Sequence, residues 1–342
     1  MKKKLQRMKK ILYIIFIITF VTSCINKSKP VATVDVEFEI INNDIFTHFP
    51  GGLYFMDKHI AWLDPFSNDY FIHVLDAKSG VELGVMGKQG QGPKEFVSPM
   101  TNDITFNNQI FAVDVNGKNS GYLSIDSFLA GNEPFIFPSG EDFSIRNAGY
   151  STRLDNDLYI GNNEDESDKT YPYISYSSGV KSSFGNYPIK EKQYRPGTSY
   201  AYNPDSKTLV IACIFMKHIS AYKLKGNNFE LLWEIRTNHD YYEREGEIVL
   251  DRKRMGARGL CLTKDYIVTM ERDYETDDTD ESTVGRDVDK LAKTLFVYDY
   301  NGNLLKILKC KVSFGRIAGN KNTNDVYAIV PNPDFMLVKI SI

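Results

Sequence analysis

The 342-residue chain carries 41 Lys and Arg against 44 Asp and Glu, a formal charge of −3, with 42% hydrophobic and 13% aromatic residues. Six of the basic residues lie in the first ten positions, so residues 24–342 carry −9. A mildly acidic body excludes a nucleic-acid partner, which needs a concentrated basic face to displace the counterions of phosphates.

Lys2, Lys3, Lys4, Arg7, Lys9 and Lys10 precede an unbroken apolar run over residues 11–21. A positive region followed by a short apolar core is the pattern of a secretory signal. The run falls short of the roughly 20 residues that span a bilayer, which makes it a removable signal and not an anchor. Val21, Thr22, Ser23 and Cys24 resemble the bacterial lipobox, an aliphatic residue and two small ones before a cysteine that becomes lipidated. The expected division is a signal peptide over residues 1–23, lipidated Cys24 with a tether over 24–32, and a folded domain over 33–342. Several acyl chains on Cys24 would hold firmly, since each buried methylene contributes about 0.8 kcal/mol. Ile25 is not the aspartate that retains lipoproteins in the inner membrane of enterobacteria. The tether also lacks the acidic run linked with surface export in Bacteroidota. The first feature points to the outer membrane, and the second favours its periplasmic face over the cell surface.

Beyond the tether the chain reads as all-β. Branched and aromatic residues alternate over 34–41, and similar runs recur at 70–75, 110–113, 158–161, 208–215, 266–270, 295–300 and 326–330. The 21 Tyr and 21 Phe suit half-buried pleated surfaces. A polar cluster directly before an apolar strand recurs six times, marked by Asp57, Asn107, Asn156, Asp205, Asp265 and Asn324. A spacing of 49–60 residues between these markers is the period of a propeller blade, so six markers predict six blades. Each marked turn would join a blade's innermost strand to its second, with Asn and Asp chosen for left-handed backbone and self-bonding. After the sixth turn only two strands' worth of chain remains. The first strand, expected over 33–41, must therefore complete the last blade beside residues 336–340 and remove the free edges.

Gly87, Gly90, Gly92, Phe96 and Pro99 are spaced as Gly-x-x-Gly-x-Gly-x-x-x-Phe-x-x-Pro. This resembles the signature of NHL-type propellers, and with the lipobox the chain resembles the TolB-like six-bladed propeller lipoproteins of Bacteroidota. The glycines form no phosphate cradle, because no Gly-Lys-Ser/Thr follows and no helix opens after them. They read as the crossover from an outer strand to the next inner one.

Catalytic patterns are scarce, and the five histidines show no metal-ligand spacing. No metal or other cofactor is expected. Cys213, Cys261 and Cys310 each sit in an apolar stretch and read as buried thiols; an odd number cannot all pair. The acidic stretch 271–289 reads as a solvated insertion in blade five. Arg146 and Arg195 lie ten residues before their markers, and Arg258 and Arg316 seven and eight before theirs. Four successive blades would thus bring an arginine to one rim of the channel, a ring suited to carboxylate or phosphate. The competing reading is that each pairs with acids on neighbouring blades or faces water. A second candidate surface is the longer link around Tyr241 and Tyr242, suited to sugar stacking, protein contact or packing over the channel mouth. These features predict a non-enzymatic binding or scaffolding lipoprotein for an envelope protein, glycan or anionic small molecule. The alternative is a propeller hydrolase or lyase, which would need an acid or base converging with the arginines.

Overall fold

The computed structural model describes residues 31–139, 152–164, 169–190, 193–194, 197–236, 241–250, 255–272, 291–331 and 334–342. Thr33–Ile342 forms one compact unit of six antiparallel sheets, the blades of a β-propeller. Blade one runs β3 (Leu53–Met56), β4 (His59–Leu63), β5 (Tyr70–Asp76) and β6 (Glu82–Lys88). Blade two is β7 (Pro99–Thr101), β8 (Gln109–Asp114), β9 (Ser120–Ser124) and β10 (Phe135–Ile136), and a short helix α1 (Ile125–Leu129) follows β9. Blade three is β11 (Thr152–Asp155), β12 (Leu158–Asn162), β13 (Tyr173–Ser177) and β14 (Val180–Phe184). Blade four is β15 (Thr198–Asn203), β16 (Thr208–Cys213), β17 (His218–Lys225) and β18 (Asn228–Arg236). A separate hairpin, β19 (Tyr241–Arg244) and β20 (Glu247–Leu250), stands between blades four and five. Blade five is β21 (Gly259–Leu262), β22 (Tyr266–Glu271), β23 (Thr294–Asp299) and β24 (Leu304–Lys309). Blade six is β25 (Arg316–Gly319), β26 (Asp325–Pro331) and β27 (Phe335–Ser341), completed from the other end of the chain.

That closure differs in detail from the single strand expected over 33–41. β2 (Glu39–Ile45) closes blade six, with Glu39 opposite Lys339 and Ile45 opposite Phe335. β1 (Ala32–Asp35) instead joins blade five as a fifth strand beside β24. The segment divides because its first four residues are all exposed and suit an outer edge, whereas Ile45 is buried with Phe335 and Leu337. One chain end therefore clips two neighbouring blades.

The core lies between blades. Along β16, Leu209 and Ile211 pack toward blade three, while Val210 and Ala212 pack toward blade five. Alternation of period two serves two neighbours at once, so the strand is apolar from Leu209 to Cys213 and wholly buried. The outer strands carry bulges at equivalent places in three blades, where Leu83, Leu232 and Leu305 are the extra residues. All three leucines are exposed, and in β6 and β18, which are edge strands, the added twist helps keep the edge from pairing with another chain.

All six marked turns join first to second strands. Asp57 and Asn107 adopt positive φ, 54° and 49°. In blade four Lys207 takes that conformation instead, and Asn203 Oδ1 accepts from the amides of Asp205 and Ser206. The glycine-rich stretch links β6 to β7. Phe96 is fully buried against Phe71 and Phe135, while Asp114 accepts from the amides of Val97 and Ser98.

Candidate functional site: the channel mouth

The innermost strands surround a central channel, and two cavities that share lining residues lie along it. One has a volume of about 340 Å³ and opens where these strands begin, with Thr101, Asp103, Ser199, Arg258 and Arg316 in its wall. The other, about 70 Å³, continues past Leu53, Tyr54, Asp103, Leu260 and Ile317 to Tyr202 and Lys321.

Arg316 opens β25. Its Nε donates to Gly51 O at 2.8 Å and its Nη1 to Gly315 O at 2.7 Å, with the guanidinium 5.1 Å from the centre of the Phe49 ring. Two backbone carbonyls and an aromatic face thus fix the group in place. Enclosure by protein lowers its pKa, Tyr54 and Asp103 oppose that fall, and the like charge of Arg258 adds to it. Arg258 stands just before β21, its amide bonded to Met270 O at 2.9 Å.

Facing them, Tyr54 Oη donates to Asn102 O at 3.0 Å and hydrogen-bonds Thr101 Oγ1 at 2.5 Å. Burial pushes the Tyr54 phenol well up. Asp103 accepts the Tyr200 amide at 3.1 Å. Although its side chain meets the channel space, the surrounding protein raises its carboxyl above the usual range, against the pull of Tyr200 and Arg316. At the far end, Lys321 faces the channel from the turn between β25 and β26. Enclosure lowers its amine pKa, with Asp205 opposing, and burial raises the Tyr202 phenol to about 12.

Of the four arginines expected at the rim, Arg258 and Arg316 line one cavity, while Arg146 and Arg195 lie outside the described residues, as does Cys24. Tyr241 and Tyr242 line neither channel cavity. Tyr241 is half-buried against a cluster containing Cys213, and Tyr242 points to solvent. Sequence reasoning missed Asp103 and Tyr54. Both lie near the innermost strands of their blades, and nothing in their local sequence marks them. Most of the acidic insertion, residues 273–290, lies outside the described residues, whereas Glu271 is buried at the end of β22 and bonded to Thr269. Among the described residues no group of three His, Cys, Asp or Glu is placed to hold a metal ion, and no helix is long and apolar enough to cross a membrane.

The fold and this channel define the class: a six-bladed β-propeller with a polar mouth. No protein-family model matches the chain, and no curated protein matches it. Solved structures do. A DUF4221 family member from Bacteroides vulgatus superposes with a TM-score of 0.50 at 10% identity, covering 90% of this chain and 98% of that one. A protein of Bacteroides fragilis described as exported gives the same values, 0.50, 10%, 90% and 98%. The β-propeller domain of Cps50 (Swd1) from Myceliophteria thermophila matches with a TM-score of 0.49 at 8% identity, over 90% of this chain and 100% of that one. At such identities the likeness is one of fold.

Proposed function

We propose that the protein is an envelope lipoprotein, held by lipid on Cys24 at the periplasmic face of the outer membrane, whose propeller binds an anionic ligand at the channel mouth. The observation that carries this reading is the pair Arg258 and Arg316 in the wall of one 340 Å³ cavity. They are close enough for the charge of one to lower the pKa of the other. Two cations held together in partial enclosure are relieved by an anion between them, and guanidinium groups bind carboxylate and phosphate in bidentate fashion. The lipobox, and the likeness to a Bacteroides protein described as exported, support the location.

The test is calorimetric titration with acidic glycans and acidic peptides, using neutral analogues as controls. Binding of the acidic set alone is expected, weakened at least tenfold by Arg258→Ala or Arg316→Ala. Unchanged affinity in folded variants removes the reading.

Asp103 gives specific support to a second reading. Its carboxyl has a raised pKa and stands with a tyrosine beside the arginines, the acid that a hydrolase or lyase acting on an anionic substrate requires. Turnover of a bound acidic glycan, abolished by Asp103→Asn while binding persists, would select this reading over simple binding.

A further inference from the structure

At one end of blade four, three polar side chains on successive strands meet beneath an apolar cover. Cys213 ends β16, His218 begins β17, and Glu234 lies on β18 opposite Ser220. Cys213 Sγ is 3.7 Å from His218 Nδ1, and His218 Nε2 is 2.6 Å from Glu234 Oε1. Arg236 Nη2 donates to the same carboxylate oxygen at 2.5 Å, and Asn186 Nδ2 to the other at 3.3 Å. The His218 hydrogen bond, helped by Arg236, holds the Glu234 carboxyl down at about 2, so at neutral pH it can only accept. His218 Nε2 therefore carries a hydrogen, and in the neutral ring Nδ1 is left to receive the thiol hydrogen. Thiol, base and orienting carboxylate stand in the order of an activated nucleophile. Among the described residues no histidine hydrogen-bonds Cys261 or Cys310, whose thiols burial pushes up with no base beside them.

The cover is the β19–β20 hairpin. Tyr241, Ile248 and Leu250 pack with Ile189 and Met216 around Cys213, and Cys213 and His218 are both 0% exposed. Among the described residues the hairpin pairs with no blade, and it turns through Glu245 and Gly246, at φ 55° and 84°. A lone two-stranded hairpin is marginal in water, so its seat depends on those apolar side chains. Complete enclosure excludes a bulky substrate from the thiol. A small uncharged molecule can reach it whenever the hairpin lifts.

We propose that Cys213 is a hydroperoxide-reactive thiol, activated by His218 and gated by the β19–β20 hairpin. The thiol proton passes to His218 Nδ1, and the sulfur attacks one peroxide oxygen. The S–O bond forms as the O–O bond breaks, and the proton returns from His218 to the departing oxygen as water or alcohol. Sulfur is oxidised from thiol to sulfenic acid and the peroxide is reduced. Glu234 is a positioning residue that holds the ring and stabilises the transient imidazolium. The new S–OH group is a polar group set among Ile189, Met216 and the hairpin's apolar side chains, which favours the lifted hairpin.

The test treats the full chain in mild detergent with hydrogen peroxide, traps sulfenic acid with dimedone, and follows each cysteine by peptide mass spectrometry. Cys213 is expected to label at least tenfold faster than Cys261 or Cys310. His218→Gln should slow it at least tenfold, and Leu250→Ala should speed it. No adduct on Cys213, equal rates for the three cysteines in wild type, or an unchanged rate in folded His218→Gln overturns the proposal. Should His218→Gln unfold, Cys261 and Cys310 will label with Cys213, and the decision passes to Glu234→Gln. A shifted pH profile of the Cys213 rate supports the relay, and an unshifted one overturns it.

Discussion

Asp265 and Asn324, one blade period apart in sequence, hydrogen-bond each other twice. The Asp265 amide donates to Asn324 Oδ1 at 3.0 Å, and Asn324 Nδ2 donates to Asp265 Oδ2 at 2.8 Å. Thr263 Oγ1 also bonds Asn324 Oδ1, at 3.2 Å. The turns of blades five and six are thereby locked together at one end of the channel. Asn324→Ala should cost about 1–2 kcal/mol in urea denaturation, as expected for lost bonds of this kind. Asn324→Asp should be worse at neutral pH than at pH 3, because two carboxylates would then face each other.

Gly52 allows the channel mouth its shape. A Cβ there would lie 2.2 Å from Tyr54 Oη and 2.7 Å from its Cζ. Gly52→Ala must therefore displace the ring and break its bonds to Thr101 and Asn102. A loss of about 1–3 kcal/mol is expected for a buried hydroxyl deprived of partners, with weaker anion binding in the same variant. Wild-type stability and affinity would show that Tyr54 does not shape the mouth.

The six turns were legible because each is local: Asp or Asn at a strand junction bends the chain whatever surrounds it. Arg258 and Arg316 could be assigned to one rim for a related reason, since their offsets from those turns, seven and eight residues, are nearly equal. Asp103 could not, because its partner Tyr200 is 97 residues away and its raised pKa comes from enclosure that only the closed ring creates. The relay at Cys213 was hidden differently. Cys213 and His218 are five residues apart on facing strands, but Cys213 sits in an apolar run that reads equally well as core, His218 reads as a strand residue, and Glu234 joins them only across a third strand. The division of the first segment between two blades was likewise invisible, because β1 and β2 are each short enough to read as one strand.

Closure by β2 and clipping by β1 should separate on truncation. A chain starting at residue 37 loses only β1, whose residues are all exposed, and should melt within a few degrees of the full domain. One starting at residue 46 also loses Ile45 from its packing with Phe335 and Leu337 and leaves the outer edge of β27 unpaired. Its thermal transition should broaden and fall by more than 10 °C, on the order expected for a lost strand worth several kcal/mol. Similar melting of the two truncations would argue that blade six stands without its fourth strand.

Phe96 tests whether the glycine-rich crossover is structural. It is fully buried and packs 5.2 Å from Phe71 and 6.0 Å from Phe135, centre to centre, bridging blades one and two. Phe96→Ala should cost about 3–5 kcal/mol by equilibrium denaturation, the range for deleting a buried aromatic ring. Anion affinity at the channel mouth should not change, because Phe96 is absent from that cavity's wall.

Glu234 makes stability depend on acid in a defined window. Its carboxyl titrates at about 2 in the folded chain, held there first by the His218 hydrogen bond and then by Arg236, against roughly 4.3 when unfolded. A depressed folded value means the unfolded chain binds the extra proton first. The contribution is therefore complete above about pH 4.3 and fades as pH falls through about 2. Comparing wild type with Glu234→Gln isolates it from other carboxylates. The difference in unfolding free energy should shrink steadily below about pH 4.3. A difference that stays constant down to pH 2.5 would mean the carboxylate draws no stability from His218 and Arg236, and the relay to Cys213 would lose its orienting group.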